Sequence, residues 1–206
     1  MNDYNTDNEG IENIEPEETE GRAESVRMEL HDWLQCIVLA VVCGIFIFVF
    51  VGRTIGVKGE SMLPTFHPND RVVMSNLFYT PRNGDIVIFH TYGAAYPYVK
   101  RVIAVAGQTV DIDFVRGVVY VDGVALYEPY ILEPTTRPVH FHAPVTVPDG
   151  EIFVLGDNRN NSTDSRDVSI GFVDTRQILG RVLLILIPGG DSANPRDWSR
   201  IGTVRS

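Results

Sequence analysis

Three short stretches of this 206-residue chain carry residue types that could do chemistry. In "GESMLPTF" (59–66), Ser61 follows Gly59 by two positions and precedes Pro64 by three. A glycine so placed lets backbone approach a ligand closely. A serine in a turn, however, commonly serves only the turn. The nucleophile elbow of the α/β hydrolases is excluded, because Leu63 stands where its second glycine belongs, and Pro64 excludes a Ser-x-x-Lys arrangement. In "YVKRVIAVAG" (98–107), Tyr98, Lys100 and Val102 should share one face of a strand. A lysine amid so apolar a strand sits on a solvated face or edge, as strand lysines usually do, or has a task that such a position serves. The third stretch, "GDNRNNSTDSRDVSIGFV" (156–173), follows the apolar run "EIFVL". Its Asp157, Arg159, Asp164 and Arg166 make either a solvated loop or a hydrogen-bonded network that holds a site together.

Histidine offers a different chemistry. One of His67, His90, His140 and His142 could serve a Ser–His–Asp hydrolase, and "HFH" (140–142) could be read as two metal ligands. No cysteine or further histidine completes a zinc set beside it, so no metal or other cofactor is expected.

The elements that must position these residues are mostly strands. "DRVVMSN" (70–76), "GDIVIFH" (84–90), "YVKRVIAV" (98–105), "QTVDIDF" (108–114) and "EIFVLG" (151–156) are short β-branched runs bounded by Gly, Pro, Asn and Asp. In "GVVYVDGVALY" (117–127), Val119 and Val121 face Val124 and Leu126 across Asp122-Gly123, a pair favoured in type I′ hairpin turns. "VDTRQIL" (173–179) reads as helical and leads into a last strand, "RVLLILIP" (181–188). Prolines between Pro129 and Pro148 suggest a surface connection rather than a second domain. The reading is one all-β body of antiparallel strands.

Ahead of the body, "WLQCIVLAVVCGIFIFVFVG" (33–52) carries no charge. As a helix it spans about 30 Å, the thickness of a bilayer's hydrocarbon core. Trp33 sits where an interfacial anchor would, and Arg53 and Lys58 follow. A cleavable signal peptide would be shorter, would not follow a long acidic tail, and would end in an Ala-x-Ala site. The net charge is −10, yet residues 1–32 hold eleven Asp/Glu against Arg22 and Arg27, which leaves −1 for the rest. The acidity belongs to a tail with few apolar residues, expected to be disordered, and nothing suggests nucleic-acid binding. The expected division is a tail at 1–29, a transmembrane helix with its flanks at 30–53, and the body at 54–206. Both cysteines, Cys36 and Cys43, lie in the span, so the body is no disulfide scaffold, and flanking charge leaves the orientation open.

The three motifs in this order, Gly-x-Ser-Met-x-Pro, Tyr-x-Lys-Arg and "GDNRNNSTDSR", resemble the membrane-bound type I signal peptidases, in their shorter Gram-positive-like form. The resemblance runs from the anchor to about residue 188. It implies an all-β antiparallel body, also found in LexA-like proteases, on one N-terminal transmembrane helix. It further implies a single-pass cell-membrane enzyme with a cytoplasmic N-terminus and an extracytoplasmic catalytic domain near the secretion translocon. Its substrates would be secretory preproteins, cleaved at the end of their signal peptides. By position, Ser61 becomes the nucleophile and Lys100 its general base. Phe89, Tyr98 and Val154 become the walls around the amine, and Ser162 the hydroxyl that orients it. Arg101 with Asp157, and Asp164 with Arg166, become supporting ion pairs.

The physical demand behind such a pair is plain. A serine hydroxyl needs a proton acceptor, and at a pKa near ~10.4 only about one lysine in a few thousand is neutral at pH 7. Desolvation lowers that pKa. The oxyanion hole departs from some relatives: Gly59 stands where they carry a serine, leaving the Ser61 N–H and the Gly59 backbone as the expected donors. Val57 and Val99 fall where the family lines two shallow pockets, which would admit alanine-sized side chains as in Ala-x-Ala sites.

Three rivals share parts of this pattern. A LexA-like Ser–Lys autoprotease would carry no span, a histidine hydrolase would not need Lys100, and a non-catalytic anchored binding domain would need neither Ser61 nor Lys100. Met62, Leu63 and Phe66 are expected either to pack in the core, with Trp198 a surface aromatic, or, together with Trp198, to dip into membrane lipid.

Overall fold

The computed structural model describes residues 17–50, 53–142, 144–190 and 195–204. Helix α1 runs over Glu17–Phe50. Within it, Arg27–Ile45 is a 19-residue stretch of mean hydropathy 1.5, entirely exposed. A helix apolar around its whole circumference is stable in lipid rather than in water. The helix starts earlier than the expected span, so residues 17–29, assigned above to a disordered tail, are helical. That stretch is rich in Glu and Arg, good helix formers, and extending a helix costs far less than nucleating one. The rest of the tail, 1–16, and residues 51–52 of the span lie outside the described residues.

Among the described residues the body has twelve strands: β1 Arg53–Gly56, β2 Arg71–Ser75, β3 Ile86–Phe89, β4 Tyr98–Val105, β5 Thr109–Asp113, β6 Val118–Val121, β7 Val124–Ala125, β8 Val145–Thr146, β9 Glu151–Leu155, β10 Val173–Asp174, β11 Ile178–Ile187 and β12 Gly202–Thr203. The larger sheet has the order β1-β2-β11-β3-β4-β9-β10, with β12 also on β11; the smaller is β7-β6-β5-β8. All pairings are antiparallel. The β6–β7 turn has Asp122 and Gly123 at φ 52° and 79°, as a type I′ turn requires.

One correction concerns 173–179, expected to be helical. Only Thr175–Gln177 forms a 3-10 turn, capped by the Asp174 side chain. Val173 pairs with Ile152 on β9, and Ile178 pairs with Phe89 on β3. Two strand partnerships outweigh the local helical pattern, because each buries an apolar side chain.

The site depends on β4, which lies between β3 and β9 and is buried on both faces. Its register sets Tyr98 opposite Phe89, Lys100 opposite Val87, and Val102 opposite Val154, with the Val102 N–H donating to Asp85 O and its carbonyl accepting the Gly84 N–H. Directly opposed residues share a face, so Tyr98, Lys100 and Val102 lie on the side of Val87, Phe89 and Val154, which form one apolar cluster with Ile152, Ile170, Val173 and Ile178. The other face carries Val57, Met62, Phe66, Val72, Ile86 and Ile88, against which Val99 packs. Met62 and Phe66 are 1% and 0% exposed, so they serve this core and cannot dip into lipid. Leu63 is half-buried, and Trp198 remains exposed.

Candidate active site

Ser61 sits in a compact series of turns between β1 and β2. The Leu63 N–H donates to Glu60 O at 3.1 Å and the Phe66 N–H to Met62 O at 2.8 Å, and Leu63–Pro64 is a cis peptide. The base of this loop is closed by Val57 N–H on Asp70 O (2.8 Å) and Asn69 N–H on Val57 O (2.9 Å). Gly59 has φ +80°, a conformation that favours glycine over any residue with a Cβ. Serine at this position would be strained, which gives the departure from some relatives a backbone reason.

Strand β4 supplies Lys100, whose Nζ is 2.5 Å from Ser61 Oγ. The lysine is 2% exposed. Burial lowers its pKa from 10.5 to about 8; the Asp164 and Asp157 carboxylates oppose that shift, and the Arg166 guanidinium adds to it. A strand lysine on an edge would have kept its water. Phe89 and Tyr98 stack with ring centroids 5.8 Å apart, and the amine lies 5.9 Å from the Tyr98 ring centre. Val154 is fully buried in the same cluster.

Beneath the pair lies a buried ionic frame. Arg101 donates to Asp157 through Nε (2.8 Å) and Nη2 (2.7 Å), and to Gly84 O at 2.9 Å. The Tyr130 ring lies 3.8 Å from its guanidinium. Arg166 grips Asp164 in the same bidentate way, at 2.9 Å through both Nε and Nη2, and donates to the Arg137 and Arg159 carbonyls. The second oxygen of Asp164 accepts the Gly156 N–H at 3.1 Å. Charged pairs survive burial when their lone pairs and protons are satisfied in this manner.

Residues not singled out from the sequence join the two halves. Asn158 donates its N–H to Ser61 O (3.0 Å) and its side-chain amide to Glu60 O (3.1 Å). Thr65 Oγ1 donates to Asp157 Oδ2 at 2.5 Å. Gly156 is also required: a Cβ there would lie 2.5 Å from Ser61 O and 2.2 Å from Ser162 Oγ. Their signal was their place inside the two polar motifs. Ser162 lies against Gly156, and its buried Oγ has no partner among the described residues, so it is not hydrogen-bonded to the amine here. The Ser61 N–H likewise has no acceptor among them. Val57 is closed within the core, whereas Val99 is half-buried at its rim, so the two valines meet at one apolar cluster. His67, His90, His140 and His142 are exposed, and none is hydrogen-bonded to Ser61. His140 instead lies 3.9 Å from Asp167.

An apolar helix followed by a β body that sets a serine hydroxyl against a desolvated amine has the parts of a membrane-tethered hydrolase. The profile of the family described as signal peptidase, peptidase S26, matches residues 30–187. A signal peptidase I of Leptolyngbya laminosa is 36% identical over 185 residues, covering 84% of this chain and 86% of its own. One of Bacillus licheniformis is 32% identical over 180 residues, covering 82% and 95%. The crystal structure of a signal peptidase I from Enterococcus faecalis is 32% identical, covering 50% of this chain and 97% of its own, with a TM-score of 0.43. The chain therefore belongs to the signal peptidase family, peptidase S26, and is a membrane signal peptidase.

Proposed function

We propose that this signal peptidase hydrolyses its substrate with Ser61 as nucleophile and Lys100 as general base. The observation that carries this reading is the 2.5 Å approach of Lys100 Nζ to Ser61 Oγ in a buried strand. The neutral amine takes the Ser61 proton as Oγ adds to the scissile carbonyl. The resulting ammonium returns that proton to the leaving amine, and a water activated by the same amine then hydrolyses the acyl-serine. Negative charge on the carbonyl oxygen meets the unoccupied Ser61 N–H and the Gly59 backbone, with no side-chain donor at position 59. Ser162, with its buried hydroxyl unpaired, orients the ammonium once the proton has moved.

The extended end of a signal peptide pairs with the strand edge beside Ser61, so backbone hydrogen bonds set its register. Val99, half-buried at the rim of the cluster that encloses Val57, takes alanine-sized side chains, giving the Ala-x-Ala preference. With the N-terminal helix spanning the membrane, the tail lies in the cytoplasm and the body outside, against lipid and close to the translocon that delivers secretory preproteins.

The test is cleavage of a synthetic signal peptide by the full chain in detergent, read by product masses. Ser61→Ala, Lys100→Ala and Lys100→Arg should each abolish cleavage, and the double alanine variant should be no worse than either single one, since the pair acts as a unit. Arginine fails because a guanidinium stays protonated. Turnover by Lys100→Arg would refute the assignment and reopen a histidine mechanism.

A further inference from the structure

The family profile ends at residue 187, yet the chain folds back onto the nucleophile loop beyond that point. β12 pairs with β11 through Thr203–Leu184 and Gly202–Ile185, and Val204 packs against the cluster that holds Met62 and Phe66. This return presents Arg200, at the end of the 3-10 turn Trp198–Arg200, to Asp70, which is fully buried. Arg200 donates to Asp70 through Nη2 (2.7 Å) and Nη1 (3.1 Å). The same carboxylate accepts the His67 N–H at 2.8 Å and the Gly189 N–H at 2.6 Å.

A third bond from Arg200 makes this more than a local clamp. Its Nη2 also donates to Thr65 O at 3.2 Å. Thr65 is the residue whose hydroxyl donates to Asp157, which in turn holds Arg101, the neighbour of Lys100. Thr65 is thus gripped from both sides, by the C-terminal return through its carbonyl and by the lysine strand's frame through its side chain. The turn bonds from Glu60 to Phe66 make the segment between Ser61 and Thr65 one stiff piece. A shift at Thr65 therefore moves Ser61.

We propose that Arg200 is a positioning residue, fixing the distance between Ser61 and Lys100 through Thr65 and Asp70. The proposal rests on the Ser61–Lys100 reading, which the Lys100→Arg variant tests separately. A misplacement of 1 Å between reacting groups costs about a hundredfold in rate, so partial release of the loop should cost about 10- to 100-fold.

The experiment compares the full chain in detergent with Arg200→Met, Arg200→Lys and the double variant Asp70→Asn/Arg200→Met. It measures kcat and KM on a synthetic signal peptide, normalised to the folded fraction from circular dichroism. Arg200→Met leaves a buried carboxylate unpaired and lowers stability; the double variant removes both charges and keeps the test valid if the single one fails to fold. Expected are a fall in kcat of about 10- to 100-fold per folded molecule at nearly unchanged KM in the double variant, and partial recovery in Arg200→Lys. A double variant whose kcat per folded molecule stays within about twofold of the parent would overturn the proposal, leaving Arg200 a purely structural residue.

Discussion

Replacing Lys100 by methionine, a near match in length without the charge, should stabilise the folded body at neutral pH by an amount that disappears in alkali. The buried amine has a pKa of about 8 against 10.5 when exposed. At about 1.4 kcal/mol per pKa unit, holding the proton on this buried group costs the folded state about 3 kcal/mol. The sign follows from proton counts. Below pH 8 both states bind the proton and the full cost is present; between about 8 and 10.5 the unfolded chain binds more protons, so the parent gains stability as pH rises; above that window the cost is gone. Urea unfolding of the full chain in detergent, followed at the sheet minimum of the circular dichroism spectrum at pH 7, 8, 9, 10 and 11, would read this directly. Comparing the two proteins at each pH cancels the titration of every other group. The expected gap is about 3 kcal/mol at pH 7, closing by up to about 1.4 kcal/mol per pH unit across the window. A gap of constant size, or none, would show that the amine is hydrated and would refute the argument that β4 makes it a base.

Two further predictions follow from the same geometry. Activity on a synthetic signal peptide should rise with pH through a limb near 8, the value at which burial holds Lys100; a limb near ~6.5 would indicate a histidine instead. Gly156→Ala should lose most activity, because the new Cβ would lie 2.5 Å from Ser61 O and 2.2 Å from Ser162 Oγ; wild-type kcat in that variant would mean that Gly156 does not set the position of Ser61.

Much of this protein was legible in its residues. The uncharged run from Trp33 to Gly52 declared an apolar helix, since its length and composition match a bilayer's hydrocarbon core. Asp122-Gly123 declared its hairpin, since few other pairs adopt two successive positive φ values. Motif order picked out Ser61 and Lys100, residues 39 positions apart that the fold brings into contact. Tertiary structure decided the rest. Nothing local to "YVKRVIAV" says whether the lysine is wet; β3 and β9 on either side and cover on both faces make it dry. "VDTRQIL" carries a helical pattern, but partners on β9 and β3 claim its apolar ends. Met62 and Phe66 could have met lipid by type alone, and were drawn inside because the loop that carries them folds over the sheet. The Arg200–Asp70 contact spans 130 residues and has no local signature at all. Periodicity and turn chemistry are properties of neighbours in the chain, whereas desolvation and long-range ion pairing belong to neighbours in space, and those exist only once the sheet has closed.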